Sequence, residues 1–331
     1  MRIVRSLALA VAIVACGSAR DSGASRNTRD IAELWQAPAD LATRDLFYGP
    51  GGKSLEPDSN GHFTLRKYKE GGTNMGYDVV DGRGRTWSVK LGKEARVEVT
   101  LSRIVWAVGY HQPVVYYMRR WTITDSGRGN VEPKARFRLE SDALKKESQW
   151  AWSENPFVGT RELAGLYVLM VLFNNWDLKT VQNVVYKVGE DSAPPRHRYV
   201  VKDLGSALGQ SGWMLHTKDD TAGFDAEPFI AGVQDSVVSF EFRKHWKNWP
   251  RQDVLVRPGD LRWICELLHR LSAKQWRDAF RAGGFSDAEA DRYIRRLQSK
   301  IADGLAAGES KLSGEKRATA SLRSPFGPLA L

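Results

Sequence analysis

The sequence predicts an α+β protein in two parts, an antiparallel sheet carrying one helix and then a mainly helical body. Three observations predict it. Residues 62–91 alternate apolar and polar side chains, the period of half-buried strands. Beyond about residue 150 the apolar positions recur at helical spacing. Leu163 to Phe173 is an apolar run of eleven residues, too short to span a bilayer and suited to a buried helix.

The first strand is Phe63-Thr64-Leu65-Arg66-Lys67-Tyr68. A glycine-bearing loop, 70–76, leads to Gly76-Tyr77-Asp78-Val79-Val80-Asp81. Asp81-Gly82 between two such runs signals a hairpin, and Arg85 to Leu91 is the third strand. Lys93 to Ala107 reads as a helix, apolar at Ala95, Val97, Val99, Leu101, Ile104 and Val105, with Gly109 as its stop. Val114 to Tyr117 and Ala135 to Leu139 read as two more strands. Thr160 caps the buried helix. Tyr186 and Tyr199-Val200-Val201 mark two short strands, and further helices are expected near 226–234, 260–271, 273–283 and 287–303. Ser272 with Gln275 and Ser286 with Glu289 fit the capping box.

The N-terminus carries an address. Arg2 and Arg5 precede an apolar stretch, Leu7 to Ala15, with the length of a signal-peptide core. Cys16 follows at once, in Ile13-Val14-Ala15-Cys16-Gly17, which resembles a lipobox. Lipidation of Cys16 and anchoring to the bacterial cell envelope, on the periplasmic or outer-membrane face, are therefore expected. The expected division is a signal peptide over 1–15, then lipidated Cys16, tether and irregular strap over 16–60. A sheet lobe over 61–145, a helical lobe over 146–305 and a disordered tail over 306–331 follow. The strap includes Gly49-Pro50-Gly51-Gly52.

The remaining cysteine, Cys265, lies in an apolar helix-like stretch and reads as a small buried hydrophobe. Net charge is +10, and removing residues 1–15 deletes two arginines and no acid, leaving +8. Such a surface favours anionic partners without singling out nucleic acid. Six scattered histidines lack metal-ligand spacing, which argues against a zinc site. The stretch from Phe240 to Trp249 interleaves cations with aromatics and offers a membrane-surface reading, although a packed segment with solvated charges explains it as well.

Four features recur in one order. The loop with Gly71, Gly72 and Gly76 frees backbone amides to approach phosphate oxygens. Lys90 ends the third strand in Trp-Ser-Val-Lys, where an ammonium can meet phosphates. Glu94 or Glu98 on the next helix can hold that lysine, and Glu98, a full turn inside, is preferred. Asn174-Asn175-Trp176-Asp177-Leu178-Lys179 ends the buried helix, and Lys202-Asp203-Leu204-Gly205 follows a strand.

This order resembles the protein-kinase-like superfamily over roughly residues 62–303, closest to HipA-type, CotH-type and secreted Golgi-type kinases and to a group of bacterial lipoproteins. Val89-Lys90 resembles the end of V-A-I-K, Asp177-Leu178-Lys179 the D-L-K of the catalytic loop, and Asp203-Leu204-Gly205 the D-F-G. The resemblance implies a two-lobed kinase-like fold, ATP as nucleotide, Mg²⁺ and transfer of the γ-phosphoryl group to an unidentified hydroxyl acceptor. It implies that Lys90, held by Glu98, positions phosphates. Asp177 orients the acceptor and Lys179 offsets charge. Asp203, with Asn183 or Gln182, holds the metal. The alternative is an inactive kinase-like binding or scaffold lipoprotein. The sequence departs from the kinase pattern in its first loop, in Asn175-Trp176 before Asp177, and in Gln182 where an asparagine is usual.

Overall fold

Alternation sorts the sheet lobe into two faces of opposite chemistry. The computed structural model describes residues 31–321, apart from 70–74, 126–127, 142, 190–194, 212–215 and 242–253. A short strand β1 (Ile31–Glu33) precedes the strap; β2 (His62–Lys69), β3 (Gly76–Val80) and β4 (Thr86–Leu91) then form the expected antiparallel meander. Helix α1 (Glu94–Ala107) follows, then β5 (Val115–Met118), β6 (Trp121–Asp125), β7 (Arg128–Glu132) and β8 (Ala135–Leu139). All but β1 join one seven-stranded sheet in the order β5-β8-β4-β3-β2-β6-β7. The β6–β7 hairpin is an addition to the expected sheet; Trp121-Thr122-Ile123-Thr124 does alternate, but the run is short.

One face of this sheet is aromatic. Phe63, Tyr77, Trp87, Trp121 and Phe137 are buried there. Phe63 and Trp121 lie 4.9 and 5.1 Å from Phe137, centroid to centroid, at angles that avoid face-to-face repulsion. The other face is polar. The register aligns Gly76, Lys90 and Arg136 across three strands, and Asp78, Ser88 and Arg138 beside them. Because side chains alternate, this second set points away from the aromatic core.

The helical lobe begins with β9 (Leu144–Gln149) and α2 (Arg161–Leu172), the latter capped by the Thr160 side chain. Strands β10 (Asn183–Val188) and β11 (Arg196–Val201) pair antiparallel, and β1 returns to pair parallel with β11 in the order β1-β11-β10-β9. Next come α3 (Thr221–Ala226), β12 (Ile230–Gln234), β13 (Val237–Phe240), α4 (Pro258–His269), α5 (Ala273–Ala282) and α6 (Asp287–Ser321). The larger core threads α1 between lobes, with Val97, Leu101 and Ile104 buried in the same cluster as Leu166, Leu169 and Phe280. Close approach is needed where a Cβ on Gly165 would lie 2.6 Å from the Trp263 ring. Cys265 is fully buried, and burial pushes its thiol up to about 12, so it packs as an apolar group.

Two expectations are corrected. Residues 226–234 do not form a helix; they end α3 and enter the β12–β13 hairpin. Asp235 and Ser236 both take positive φ, +48° and +63°, which is the backbone of a tight hairpin turn. Of the tail expected to be disordered over 306–331, residues 306–321 continue α6 to Ser321, and 322–331 lie outside the described residues. Ala306, Ala307, Glu309, Lys311, Glu315, Lys316 and Ala318 are good helix formers, and they outweigh Gly308 and Gly314. Among the described residues no helix is long and apolar enough to cross a membrane.

Lys300 of α6 is wholly buried, where Nζ donates to Asn174 Oδ1 at 2.9 Å and lies 4.3 Å from the Phe224 ring centroid. Burial, then the charge of Arg296, pushes its pKa down to about 7. A lysine whose folded pKa is depressed binds fewer protons folded than unfolded above that value. Its contribution to stability therefore rises with pH from about 7 toward the unfolded value of 10.5. Urea unfolding of wild type and Lys300→Met at pH 7 and pH 9.5 should show the difference shifting in favour of wild type at the higher pH. An unchanged difference would refute the buried-charge account.

Candidate functional site

Only Gly92 and Lys93 separate β4 from α1, so the end of the strand and the start of the helix are neighbours. Lys90 Nζ lies 2.7 Å from Glu94 Oε2, whereas Glu98 Oε2 is 3.9 Å away. The preferred partner, Glu98, is thus replaced by Glu94, which also accepts from Lys218. The reason is that Glu98, one turn deeper, is taken by two arginines of β8. Its Oε1 lies 2.7 Å from Arg138 Nη2 and 3.0 Å from Arg136 Nε.

Asp203 closes the cluster from the helical lobe. Its Oδ1 accepts from Arg138 Nη2 at 2.8 Å and lies 4.0 Å from both Lys90 Nζ and Arg136 Nη2. Asp203 takes φ +57°, a left-handed conformation that costs energy in a non-glycine residue. Two residues on, a Cβ on Gly205 would lie 2.6 Å from Glu94 Cβ, so glycine lets this turn rest on the first turn of α1.

The charges are strongly coupled. Burial alone would raise the pKa of Asp203; Arg138, Lys90, Arg136 and Lys202 outweigh it and hold the carboxyl well below its usual range. Burial would likewise raise Glu98, and Arg136 and Arg138 keep it low. Lys90 is held above its ordinary value because Glu98, Asp203 and Glu94 together exceed its desolvation. Lys202 is pushed down to about 8, by burial first and then by Arg138. Lys90, Arg136, Arg138 and Lys218 set four cations against the three carboxylates Glu94, Glu98 and Asp203.

Arg136 and Arg138 carry no motif in the sequence. In Ala135-Arg-Phe-Arg-Leu139 they read as the solvent face of an edge strand. The available signal was the placement of that strand beside the one bearing Lys90, because both faces of a central strand are covered. Gly76 pairs with Lys90 in the sheet, where a Cβ would lie 2.8 Å from Val89 O. Gly71, Gly72 and Cys16 lie outside the described residues, as does most of the 240–249 stretch.

Asp177 belongs to an adjoining group. Its Oδ1 is 2.9 Å from Lys179 Nζ, and Gln182 Nε2 donates to its Oδ2 at 3.2 Å. Asn183 is fully buried with Nδ2 donating to Trp150 O at 3.0 Å, so Gln182, not Asn183, reaches the aspartate. Backbone bonds from Trp176 N to Ser206 O and from Lys202 N to Gln182 O stitch the Asp177 loop to the Asp203 segment. Among the described residues Asp177 makes no ion pair with Lys90; its charge partner is Lys179.

The cations packed around Asp203 oppose a divalent cation at that carboxylate. Asp203 Oδ1 already takes a guanidinium and four cations surround the carboxylate; Asn183 donates Nδ2 to Trp150 and keeps Oδ1 buried without a hydrogen-bond partner among the described residues. Among the described residues no three His, Cys, Asp or Glu side chains could hold a metal ion. The excess positive charge suits an anion. A cavity of about 570 Å³ adjoins the polar face, lined by Arg66, Lys67, Lys69, Asp78, Thr86 and Glu140.

Glu98→Gln leaves Arg136 and Arg138 buried without their main counter-charge. The expected loss of stability is about 3–5 kcal/mol by urea unfolding. A loss below about 0.5 kcal/mol, the scale of a surface substitution, would contradict the network.

No protein-family model matches the chain, and no curated protein matches it. Among solved structures, the Helicobacter pylori proinflammatory kinase CtkA is similar with a TM-score of 0.46 and 10% identity, over 75% of this chain and 98% of that one. The Golgi casein kinase with Mn/ADP bound is similar with a TM-score of 0.35 and 10% identity, over 82% of this chain and 75% of that one.

Proposed function

We propose that the chain is a lipid-anchored envelope protein with a kinase-like site that binds the phosphates of a nucleotide. The observation that carries this reading is the meeting of Lys90, Arg136 and Arg138 with Asp203, on the polar face of the sheet. The order of the parts supports it: lysine on a strand, acid on the next helix, buried helix, aspartate loop, strand, Asp-Leu-Gly. Lys90 would meet phosphate oxygens as a point charge, and the arginines would present planar donors. Asp203 and Glu98 hold those cations in place before the ligand arrives, so little ordering is needed on binding.

The second reading is phosphoryl transfer to a hydroxyl. Asp177, beside Lys179 and tied to the Asp203 segment, favours it. Asp177 would orient the acceptor hydroxyl and accept its proton, and Lys179 would offset charge on the moving group. ATP, or another nucleotide, is the expected ligand of either reading; Mg²⁺ enters neither, because four cations already surround Asp203.

The test is thermal unfolding of the full chain with ATP or ADP, with and without a chelator. Wild type should gain about 2.7 kcal/mol at a nucleotide concentration near 100 times Kd, with chelator present or absent. Lys90→Met and Arg138→Met should lose that gain. No stabilisation of wild type under either condition would reject the nucleotide reading. Release of phosphate or labelling of an acceptor, abolished in Asp177→Asn, would decide for transfer over binding alone.

A further inference from the structure

A second concentration of positive charge lies around Arg103 of α1. A cavity of about 460 Å³ opens between the strap, β5 and the turn joining α5 to α6. Its lining holds four arginines, Arg103, Arg119, Arg120 and Arg281, against one carboxylate, Glu56; Asp278, which is not part of the lining, lies 3.6 Å from Arg281 Nη1.

Arg103 is the unusual member. It is 1% exposed, and Nη2 donates to Val115 O at 2.6 Å, while Nε and Nη1 have no hydrogen-bond partner among the described residues. A buried guanidinium without a carboxylate partner is costly unless something else answers its charge. Tyr116, whose ring centroid lies 5.4 Å from the guanidinium, and then Asp45 and Glu56 act on it without hydrogen bonds, and burial dominates, pushing the group down to about 10. The other three arginines are exposed at the mouth. Arg119 Nη2 reaches Gly284 O at 3.0 Å, and Arg281 lies 5.8 Å over the Phe47 ring.

The walls are built around missing side chains. A Cβ on Gly49, at φ +68°, would lie 2.2 Å from Arg103 Nη1, and one on Gly51 would lie 2.3 Å from the Tyr116 hydroxyl. A Cβ on Gly284, at φ +79°, would lie 2.3 Å from the Tyr117 ring. The Gly49-Pro50-Gly51-Gly52 strap therefore packs its backbone onto Arg103 and Tyr116, where no bulkier residue fits. Phe47, Tyr116, Tyr117 and Met118 give the cavity an apolar side as well.

We propose that this cavity is a second anion site, distinct from the Lys90 cluster, which takes a small phosphomonoester: the arginines receive the phosphoryl group and the aromatic wall receives the body of the ligand. A phosphomonoester carries close to two negative charges near neutral pH, which matches the arginine excess better than a single carboxylate does. Planar guanidinium donors suit its oxygens.

The experiment is calorimetric titration of the full chain with glycerol 3-phosphate and with inorganic phosphate. Three proteins are compared: wild type, Lys90→Met, and the double variant Arg120→Ala/Arg281→Ala, whose changes are at exposed positions and leave the core intact. Binding in wild type, retained in Lys90→Met and weakened at least tenfold in the double variant, is the expected result. Equal affinity in wild type and the double variant would overturn the proposal, as would loss in Lys90→Met alone or no binding by wild type. Arg103→Met gives a further reading if it folds, with the same weakening expected; the surface double variant decides the matter if it does not.

Discussion

Arg138 joins the two halves of this protein. A single nitrogen, Nη2, donates to Glu98 on α1 and to Asp203 in the helical lobe, while its own strand anchors it in the sheet. Sheet, helix and helical lobe are thus held at one point. The arrangement is stable only as a set, because burying these charges costs several kcal/mol per ion and their mutual attraction must offset it. That dependence explains why Glu98 is withdrawn from Lys90. A carboxylate between two buried arginines cannot also serve a lysine at full strength, and Glu94, nearer the surface, takes that place.

The same cluster shapes what the site can accept. A divalent cation approaching Asp203 would meet Lys90, Arg136, Arg138 and Lys202. A phosphate would meet the same four charges with the opposite sign of interaction. The cation-rich chemistry of this centre therefore favours a phosphate over a divalent cation, as the proposed nucleotide reading requires. On the proposed envelope location, Lys90 and the arginines would face whatever phosphorylated ligand reaches that compartment.

Much of this was legible in the sequence. The alternation of 62–91, the Asp81-Gly82 turn, the helix from residue 93 and the buried run ending at Asn174 all follow from local periodicity and turn chemistry. Lys90 and Asp203 could be picked from their places at the ends of strands, and the structure brings them to 4.0 Å. The choice between Glu94 and Glu98 could not be made that way, since both lie on one face of α1 and only the arginines of another strand decide between them. Arg136 and Arg138 are not legible in the sequence, because alternate charged residues in a strand look like a wetted face. Nor is the β12–β13 hairpin, because its turn, Asp235-Ser236, lacks the glycine that usually marks one.

The most direct test of the account is the energetic coupling of Arg138 to Asp203. Urea unfolding of wild type, Arg138→Met, Asp203→Asn and the double variant closes a thermodynamic cycle. The account predicts a coupling of at least about 1 kcal/mol, within the range for residues sharing one ion-pair network. Additivity to within about 0.3–0.5 kcal/mol would contradict it, because the two lobes would then not be joined through this pair.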